Sequence, residues 1–212
     1  MTSGQLFIFS APSGTGKSTV VRRLLTGDWL APGSLRLSIS HTTRAPRAGE
    51  VDGEAYHFID RAAFRAMVAA GEMLEYAQVF GDHYYGTSRE MVEESLAAGV
   101  DVLLEIDVQG AEQVMERCPQ AHSVFLMPPS YDELERRLRG RASDAESDIA
   151  RRLAVSSTEI RHYCRYDYVI INDQVERSVQ ALSAILIEKR QRRKVLNDAV
   201  EGILQTFPPV AE

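Results

Sequence analysis

The architecture of this chain follows from one stretch near its N-terminus, Leu6-Phe-Ile-Phe-Ser10-Ala-Pro-Ser-Gly14-Thr-Gly16-Lys17-Ser18-Thr-Val-Val-Arg-Arg-Leu-Leu25. Its first residues are continuously apolar, which predicts a strand buried on both faces. Its last residues have apolar side chains at helical spacing, and a small-residue turn ending in Gly-Lys-Ser connects the two parts. A strand, a glycine-rich turn and a helix start in this order form a cradle for phosphate groups.

In such a cradle, backbone N–H groups point into the turn, and the helix N-terminus adds its partial positive charge. We expect Lys17 to reach the outer phosphates as a point charge and the Ser18 hydroxyl to ligate the accompanying Mg²⁺. The usual motif begins with glycine, where this chain has Ala11. An ordinary glycine turn is the alternative interpretation. The predicted contact residues are Ala11, Pro12, Ser13, Gly14, Thr15, Gly16, Lys17, Ser18 and Thr19.

Composition excludes several classes of protein. A chain of 212 residues with 44% hydrophobic and 25% charged residues is typical of one globular domain with insertions. The net charge of −6 argues against a nucleic-acid binder, because phosphate backbones demand a basic surface. No apolar run approaches the ~20 residues that span a membrane, and the first strand begins too early for a signal peptide. The distant Cys118 and Cys164 predict reduced thiols in a cytoplasmic protein.

Strands and helices alternate along the rest of the chain. Apolar strands near residues 6, 100, 122 and 168, separated by helices, are typical of a parallel doubly wound sheet. The strands predicted between residues 36 and 90 have no long crossover helices and therefore indicate a small antiparallel insert. The pattern also predicts a strand over Leu35–Ser40 and helices over about 61–70, 146–163 and 175–204.

Two arginines lie three residues apart in the segment Thr-Thr-Arg44-Ala-Pro-Arg47, and Tyr56 and Tyr85 belong to the same predicted insert. Two guanidinium groups and two phenols can bind one phosphate monoester through charge-assisted hydrogen bonds. Considered alone, the arginines are more typical of a solvated surface loop.

A carboxylate, Glu75, interrupts an otherwise apolar predicted strand, with Ser40, Thr87 and Asp107 as possible companions. The Watson–Crick edge of guanine has two neighbouring donors, N1–H and N2–H₂, beside the acceptor O6. A carboxylate matches both donors and a hydroxyl can donate to O6, whereas adenine has the reverse pattern. Buried polar sites discriminate between such ligands by ~10⁴. Considered alone, Glu75 is more typical of a salt-bridged or solvent-facing residue.

Together these segments resemble guanylate kinases. The resemblance is carried by Ser-Ile-Ser40-His-Thr-Thr-Arg44-Ala-Pro-Arg47-Ala-Gly-Glu-Val-Asp-Gly-Glu-Ala-Tyr56-His-Phe, by Tyr84-Tyr85-Gly-Thr87-Ser, by Glu105-Ile-Asp107-Val-Gln-Gly110 and by Ile171-Asn172-Asp173. It implies a P-loop NTPase-type parallel sheet flanked by helices, with an antiparallel GMP-binding insert and a helical lid. The implied core comprises residues 1–35 and 91–212, the insert 36–90 and the lid about 131–152, in one domain over about 4–185.

The resemblance also implies that ATP with Mg²⁺ donates a phosphoryl group to GMP, a step of purine nucleotide metabolism that recycles GMP. It places the GMP phosphate on Arg44, Arg47, Tyr56 and Tyr85, and guanine on Ser40, Glu75, Thr87 and Asp107. It places the donor adenine on Asn172 and catalytic charges on Lys17, Arg137, Arg141 and Arg152. Glu105 lies where the family has aspartate, and we expect it to bind the metal through water, beside Ser18.

Two other functions are compatible with the fold. One is a non-catalytic guanylate-kinase-like interaction module. Such modules have typically lost the phosphate-loop lysine, so Lys17 and Ser18 argue against this function. The other is a kinase of the same fold that acts on a different phosphorylated acceptor, against which Ser40, Glu75 and Thr87 argue. The partners we expect are therefore ATP and GMP, with no nucleic acid and no membrane.

Overall fold

The computed structural model describes residues 3–47, 49–79, 82–140 and 146–208. Within these ranges, strands and helices alternate along the chain. In chain order they are β1 (Leu6–Ser10), α1 (Lys17–Thr26), β2 (Leu35–Leu37), β3 (His41–Thr42), β4 (His57–Phe58), α2 (Arg61–Ala69), β5 (Met73–Val79), β6 (His83–Ser88), α3 (Arg89–Ala97), β7 (Asp101–Ile106), α4 (Val108–Arg117), β8 (His122–Met127), α5 (Tyr131–Arg139), α6 (Glu146–Glu159), a 3₁₀ helix (Ile160–Arg165), β9 (Tyr168–Ile171), α7 (Val175–Arg190) and α8 (Asn197–Leu204).

The main sheet has five strands in the order β2-β7-β1-β8-β9. Every pairing in it is parallel, which confirms the predicted parallel sheet. β1 is central and all its residues are buried, as its continuous apolar sequence predicts. Because the strands share one direction, their carboxyl ends meet at one edge, where proteins of this class bind ligands. Ser10 and Ile106 are register partners at that edge.

Helices cover both faces of this sheet and bury its apolar side chains. On one face, α1 and α7 pack against the sheet through Val20, Val21, Leu24, Val179, Leu182 and Leu186. On the other face, α3 and α4 pack through Val92, Val108, Ala111 and Val114. The central strand contributes Phe7 and Phe9 to the first cluster and Leu6 and Ile8 to the second, as alternation along a strand requires.

A second sheet has four strands in the order β4-β3-β6-β5. β6 pairs antiparallel with both β3 and β5, which confirms the predicted antiparallel insert, and β3 pairs parallel with β4 in addition. The helix predicted over 61–70 is α2, and Gly71 follows it with a φ of 73°. β5 is an edge strand, so half of its backbone groups need partners from outside the sheet.

The single strand expected over Leu35–Ser40 is wrong. Leu35–Leu37 forms β2 beside β7 in the parallel sheet, whereas His41 begins β3 in the second sheet. Between them, the Ser38 N–H donates to the Leu103 carbonyl in the first sheet, and the Ser40 carbonyl accepts from the His57 N–H in the second. The chain therefore changes sheets at these serines, and alternating polarity does not distinguish two short strands from one.

The single helix expected over 175–204 is also wrong, because α7 ends at Arg190 and α8 begins at Asn197. α7 packs on the main sheet, whereas no residue of α8 is buried. The Arg190 guanidinium fixes the end of α7 by donating to Asp101 and to the Ser34 carbonyl. Beyond that point no core surface remains for the apolar residues to cover, and packing supplies most of a helix's stability.

Two helices, α5 and α6, pack against each other through Leu134, Leu138, Ile149 and Leu153. The helix predicted over 146–163 is α-helical to Glu159 and continues as the 3₁₀ helix to Arg165. Residues 141–145 of the predicted lid, including Arg141, lie outside the described residues. No helix in the described part of the chain has the length and apolar character that crossing a membrane requires.

Candidate active site

The predicted phosphate cradle is a loop between β1 and α1, formed by residues 11–16. Gly14 and Gly16 have φ values of 88° and 100°, a region that disfavours any residue with a Cβ. Gly16 is the N-cap of α1, and no side chain caps its helix N-terminus. The loop therefore leaves backbone N–H groups and the positive end of the helix dipole directed at one place, which suits an anion.

Lys17, the first residue of α1, donates through Nζ to the carbonyl of Ile106 at the end of β7. Burial lowers the pKa of its ammonium, and the carboxylates of Glu105 and Asp107 oppose that decrease. An ammonium has three donors, so Lys17 can bind this carbonyl and still donate to phosphate oxygens. The bond to Ile106 ties the lysine to the strand next to β1.

The Ser18 hydroxyl donates to Glu105 Oε1 at 2.5 Å, beside the phosphate loop. Both groups are hard oxygen ligands, the type that Mg²⁺ prefers, and Mg²⁺ in kinases usually takes only one or two protein ligands. Across the described residues, no group of three or more histidine, cysteine or acidic side chains could hold a metal. The donor set thus fits a magnesium ion held mainly by phosphates and water, and does not fit an all-protein metal cage.

Two predicted lid residues contact the loop from outside. Arg137 on α5 donates to the carbonyls of Thr15 and Asn172, each at 2.9 Å, and Glu133 orients it at 2.8 Å. Arg152 on α6 donates to the Ser13 hydroxyl at 2.8 Å. The structure therefore brings both arginines to the phosphate loop.

Asn172 follows β9 and is buried. Its side-chain amide donates to the Thr15 carbonyl at 2.7 Å and accepts from the Ser178 hydroxyl at 2.9 Å. Asn172 thus fixes the loop relative to the last strand of the main sheet.

The predicted acceptor-phosphate residues come together at the end of β3. The Arg44 guanidinium donates to the Tyr85 phenol at 3.1 Å and, through Nη2, to both oxygens of Glu50 at 2.9 Å. Tyr56 packs edge-on against Tyr85, and the Arg44 guanidinium lies 5.5 Å from the Tyr56 ring centre. This guanidinium is already oriented toward an oxyanion, the geometry that a phosphate site needs.

Arg47 differs from Arg44. Its backbone N–H donates to Glu50 at 2.7 Å, but its guanidinium is exposed and makes no hydrogen bond or ion pair with any residue that the structure describes. The structure thus places Arg47 beside the Arg44 cluster with its charge available.

Glu75 and Thr87 are register partners on β5 and β6, and both are buried. The Thr87 hydroxyl donates to Glu75 Oε1 at 2.6 Å. Burial raises the pKa of the Glu75 carboxyl to about 7, and the Thr87 hydrogen bond opposes that increase. A buried carboxylate with one satisfied oxygen has the other oxygen available for ligand N–H groups.

Asp107 and Ser40 complete the predicted guanine site. Asp107 is the N-cap of α4, and its Oδ1 accepts from the Gly110 N–H at 2.8 Å, which leaves Oδ2 for another donor. Asp107 also acts electrostatically on both Glu75 and Lys17, so the two predicted halves of the site lie in one electrostatic environment. Ser40 is half-buried at the start of the second sheet.

Two acidic residues of this region were not predicted as site residues from the sequence. Glu50 holds Arg44 and the loop N–H of Arg47, and these contacts lower the pKa of its carboxyl. Burial raises the pKa of the Glu159 carboxyl, and the nearby backbone of Ser13 in the phosphate loop opposes that increase. The signal for Glu50 was its place six residues after Arg44 in one loop, whereas Glu159 is distant from the loop in sequence and has no such signal.

Comparison with known proteins gives a consistent result. The family model described as guanylate kinase matches residues 3–189. The guanylate kinase of Salmonella paratyphi A is 49% identical over 203 residues, which cover 94% of this chain and 97% of that protein. The guanylate kinase of Escherichia coli K12 is 47% identical with the same coverage. The crystal structure of guanylate kinase from Anaplasma phagocytophilum matches with a TM-score of 0.73 and 35% identity, over 93% of this chain and 96% of that one.

Proposed function

Because this chain belongs to the guanylate kinase family, we propose that it transfers the γ-phosphoryl group of ATP to GMP, producing ADP and GDP. The observation that carries this proposal is the buried pair of Glu75 and Thr87 in the same electrostatic environment as the phosphate loop. A phosphate loop alone fits many nucleotide enzymes, whereas a buried carboxylate with an adjacent hydroxyl favours guanine as the acceptor base.

Guanine binds between the two sheets in this proposal. Glu75 accepts from N1–H and N2–H₂, the Thr87 and Ser40 hydroxyls donate to O6 or orient the carboxylate, and Asp107 accepts through its second oxygen. The short bond between Thr87 and Glu75 supports this assignment, because it fixes the carboxylate in one orientation. Adenine would direct a lone pair at the carboxylate, so we expect AMP to be a poor acceptor.

The GMP phosphate binds to Arg44, Arg47, Tyr56 and Tyr85. The contact of Arg44 Nη2 with both oxygens of Glu50 supports this assignment, because this guanidinium is already directed at an oxyanion. Residues 36–90 form the GMP-binding insert in this proposal, and residues 1–35 and 91–212 form the core, with a lid over about 131–152.

ATP binds with its phosphates on residues 11–19 and its adenine near Asn172. Ser18 would hold Mg²⁺ directly and Glu105 through water, and the metal would neutralise charge on the phosphates. The longer side chain of Glu105, compared with aspartate, already reaches the Ser18 hydroxyl.

The reaction itself is an in-line transfer, in which the GMP phosphate oxygen attacks the γ-phosphorus and ADP leaves. The acceptor oxygen is already anionic, so the protein needs no nucleophile and no strong general base. Its residues hold two repelling polyanions in line and balance the charge that moves between them. Lys17, Arg137 and Arg152 supply this charge in our proposal, together with Arg141, which lies outside the described residues. Closure of the insert and lid would exclude water as a competing acceptor.

The test is an ADP-release assay with ATP, Mg²⁺ and each of GMP, AMP, UMP and TMP. We expect release with GMP to exceed release with the other three by orders of magnitude. Equal release with another monophosphate would indicate a kinase of this fold with a different acceptor. No release with any acceptor, despite a folded protein, would favour the interaction module, although the intact Lys17 and Ser18 argue against it.

A further inference from the structure

One face of helix α4 is directed at the strand that carries Glu75. Gly110, Gln113 and Arg117 lie three and four residues apart and therefore share this face. Helix α4 packs on the main sheet, because its residues Val108, Ala111 and Val114 lie in the core cluster on one face of that sheet. The strand that it faces, β5, is the edge of the second sheet. This face of α4 thus connects the core to the insert.

Two side chains of this face bind the backbone of β5 on both sides of Glu75. Gln113 pairs with both backbone groups of Tyr76: its Nε2 donates to the carbonyl at 2.7 Å, and its Oε1 accepts from the N–H at 3.3 Å. Arg117 donates to the Leu74 carbonyl at 2.5 Å. The pairing of β5 with β6 shifts register between Met73 and Glu75, which makes external partners at this place more important.

The third residue of this face, Gly110, touches the carboxylate itself. A Cβ on Gly110 would lie 2.5 Å from Glu75 Oε2 and 3.1 Å from Glu75 Cδ. Glycine is among the weakest helix formers, yet Gly110 lies in the first turn of α4 and is buried. Its N–H is bound by Asp107 Oδ1, which also fixes that residue's carboxylate. A side chain at this position would therefore displace the Glu75 carboxylate.

We propose that Gly110, Gln113 and Arg117 are positioning residues, which fix the Glu75 carboxylate at the height and angle needed for guanine and thereby set acceptor specificity. This inference rests on the proposed function, in which Glu75 binds the base. Helix α4 acts as a spacer: Gln113 and Arg117 fix the strand, and Gly110 limits how near the carboxylate approaches the helix. None of the three touches the transferring phosphoryl group.

The first test compares Gln113→Ala with Gln109→Ala in the full-length protein. Gln109 is the same residue type one turn earlier on the same helix, but it is exposed and its side chain makes no hydrogen bond within the described residues. Loss of both Gln113 contacts should raise KM for GMP by about tenfold, while kcat and KM for ATP stay within about twofold. Because IMP lacks the N2 amino group, the preference for GMP over IMP should also fall. Gln109→Ala should change none of these values.

The second test is a double-mutant cycle of Gly110→Ala with Glu75→Gln, using kcat/KM for GMP and the melting temperature of each variant. Alone, Gly110→Ala should lower kcat/KM for GMP by about tenfold or more, because its methyl displaces the carboxylate. In the Glu75→Gln background the same change should cost less than about threefold, since the group it acts on is already altered. If Gly110→Ala does not fold, the comparison of Gln113→Ala with Gln109→Ala decides whether the proposal holds.

Additive losses in the cycle would overturn the proposal, and so would a parental GMP/IMP preference in Gln113→Ala. Equal increases of KM for GMP and ATP would also overturn it, because they would indicate a general structural role. Failure of the proposed function is distinguishable, since it would appear in the parent protein as absence of GMP phosphorylation before any variant is made.

Discussion

The two halves of the site are built from different parts of the polypeptide. On the donor side, a backbone loop between β1 and α1 forms the cradle, and two glycines with positive φ shape it. On the proposed acceptor side, two side chains bind the ligand, Arg44 just after β3 and Glu75 on β5, and residues of β6, Tyr85 and Thr87, form hydrogen bonds with them. Local sequence therefore encodes the first half, whereas the pairing of distant strands assembles the second. We therefore expect substitutions on the donor side to lower turnover and substitutions on the acceptor side to change the choice of base.

The largest effect is expected on the donor side, from Lys17→Ala. No other residue of the phosphate loop can place a charge on the transferring group, and loss of such a contact commonly costs ~10²–10³ in rate. We expect kcat to fall by this factor with little change in KM for GMP. Lys194→Ala, at an exposed lysine beyond α7, is the matched control and should retain parental kcat. Near-parental turnover of folded Lys17→Ala at saturating ATP would contradict the catalytic role of Lys17.

On the acceptor side, Glu75→Gln should change the choice of base. It keeps the size of the side chain but replaces a carboxylate oxygen with an NH₂ donor, which then faces a donor of guanine. Each buried group left unpaired costs roughly 1–3 kcal/mol, so kcat/KM for GMP should fall by ~10² or more. AMP should be unaffected or become a better acceptor. Equal losses with both nucleotides, measured in the same assay, would indicate damage to the fold instead of loss of recognition.

Both of these residues could be identified from the sequence, but for different reasons. The loop around Lys17 was predictable because strand, turn and helix start follow one another directly in the chain. Glu75 by itself was only a carboxylate in an apolar predicted strand, with Ser40, Thr87 and Asp107 as possible companions. The family resemblance was needed to assign these residues to a guanine site. The bond between Gln113 and Tyr76 had no sequence signal, because it joins two elements 37 residues apart.

The fold shows the same division between local and tertiary information. Three strands of the parallel sheet, β1, β7 and β8, were predictable because each is a buried apolar run. The end of α7 at Arg190 was not, because apolar residues recur in α8 beyond it, and only the structure shows that none of them is buried. The change of sheet after Leu37 likewise depends on which strand lies opposite.

A smaller effect is expected from Arg137→Ala, which tests the boundary between loop and lid. Arg137 donates to carbonyls of the loop and of Asn172, and a charge-assisted bond to a phosphate should be worth about 10- to 100-fold in rate. If Arg137 acts mainly on the transition state, kcat should fall more than KM for ATP rises. Arg139 on the same helix is more exposed and pairs with Glu135 and Glu146, not with the Glu133 that orients Arg137, so Arg139→Ala serves as the control. A pure increase in KM would mean that Arg137 binds only the ground state.

The pH dependence of kcat/KM for GMP tests the acceptor side without altering the protein. Burial raises the pKa of Glu75 to about 7, Asp107 adds to this, and Thr87, Lys17 and Arg117 oppose it. Because guanine needs the ionised form, kcat/KM for GMP should fall by about tenfold per pH unit below about 7. Glu75→Gln should lose this dependence and keep only that of the GMP phosphate, near pH 6. If the parent and Glu75→Gln gave pH profiles of identical shape, the proposed binding of guanine by the Glu75 carboxylate would be contradicted.

The same increase in pKa predicts an effect on stability. The folded state binds this proton more tightly than the unfolded chain, whose carboxyl has a pKa near 4.5. The stabilisation is therefore fully present below pH 4.5 and is lost as the pH rises to about 7. Urea unfolding of the parent and of Glu75→Gln should show the difference between their unfolding free energies changing over this range. If the difference between the two unfolding free energies stayed constant over this pH range, it would contradict a raised pKa of Glu75 in the folded state.

If donor and acceptor functions are separate, calorimetric titration of GMP into Lys17→Ala and Glu75→Gln at pH 8 should give two different results. At this pH Glu75 is mostly ionised, so the electrostatic influence of Lys17 on its pKa has little effect on binding. We expect Lys17→Ala to bind GMP within about twofold of the parent, whereas Glu75→Gln should bind GMP about tenfold more weakly or worse. Equal weakening in both variants, or weakening in Lys17→Ala alone, would contradict the separation of the two functions.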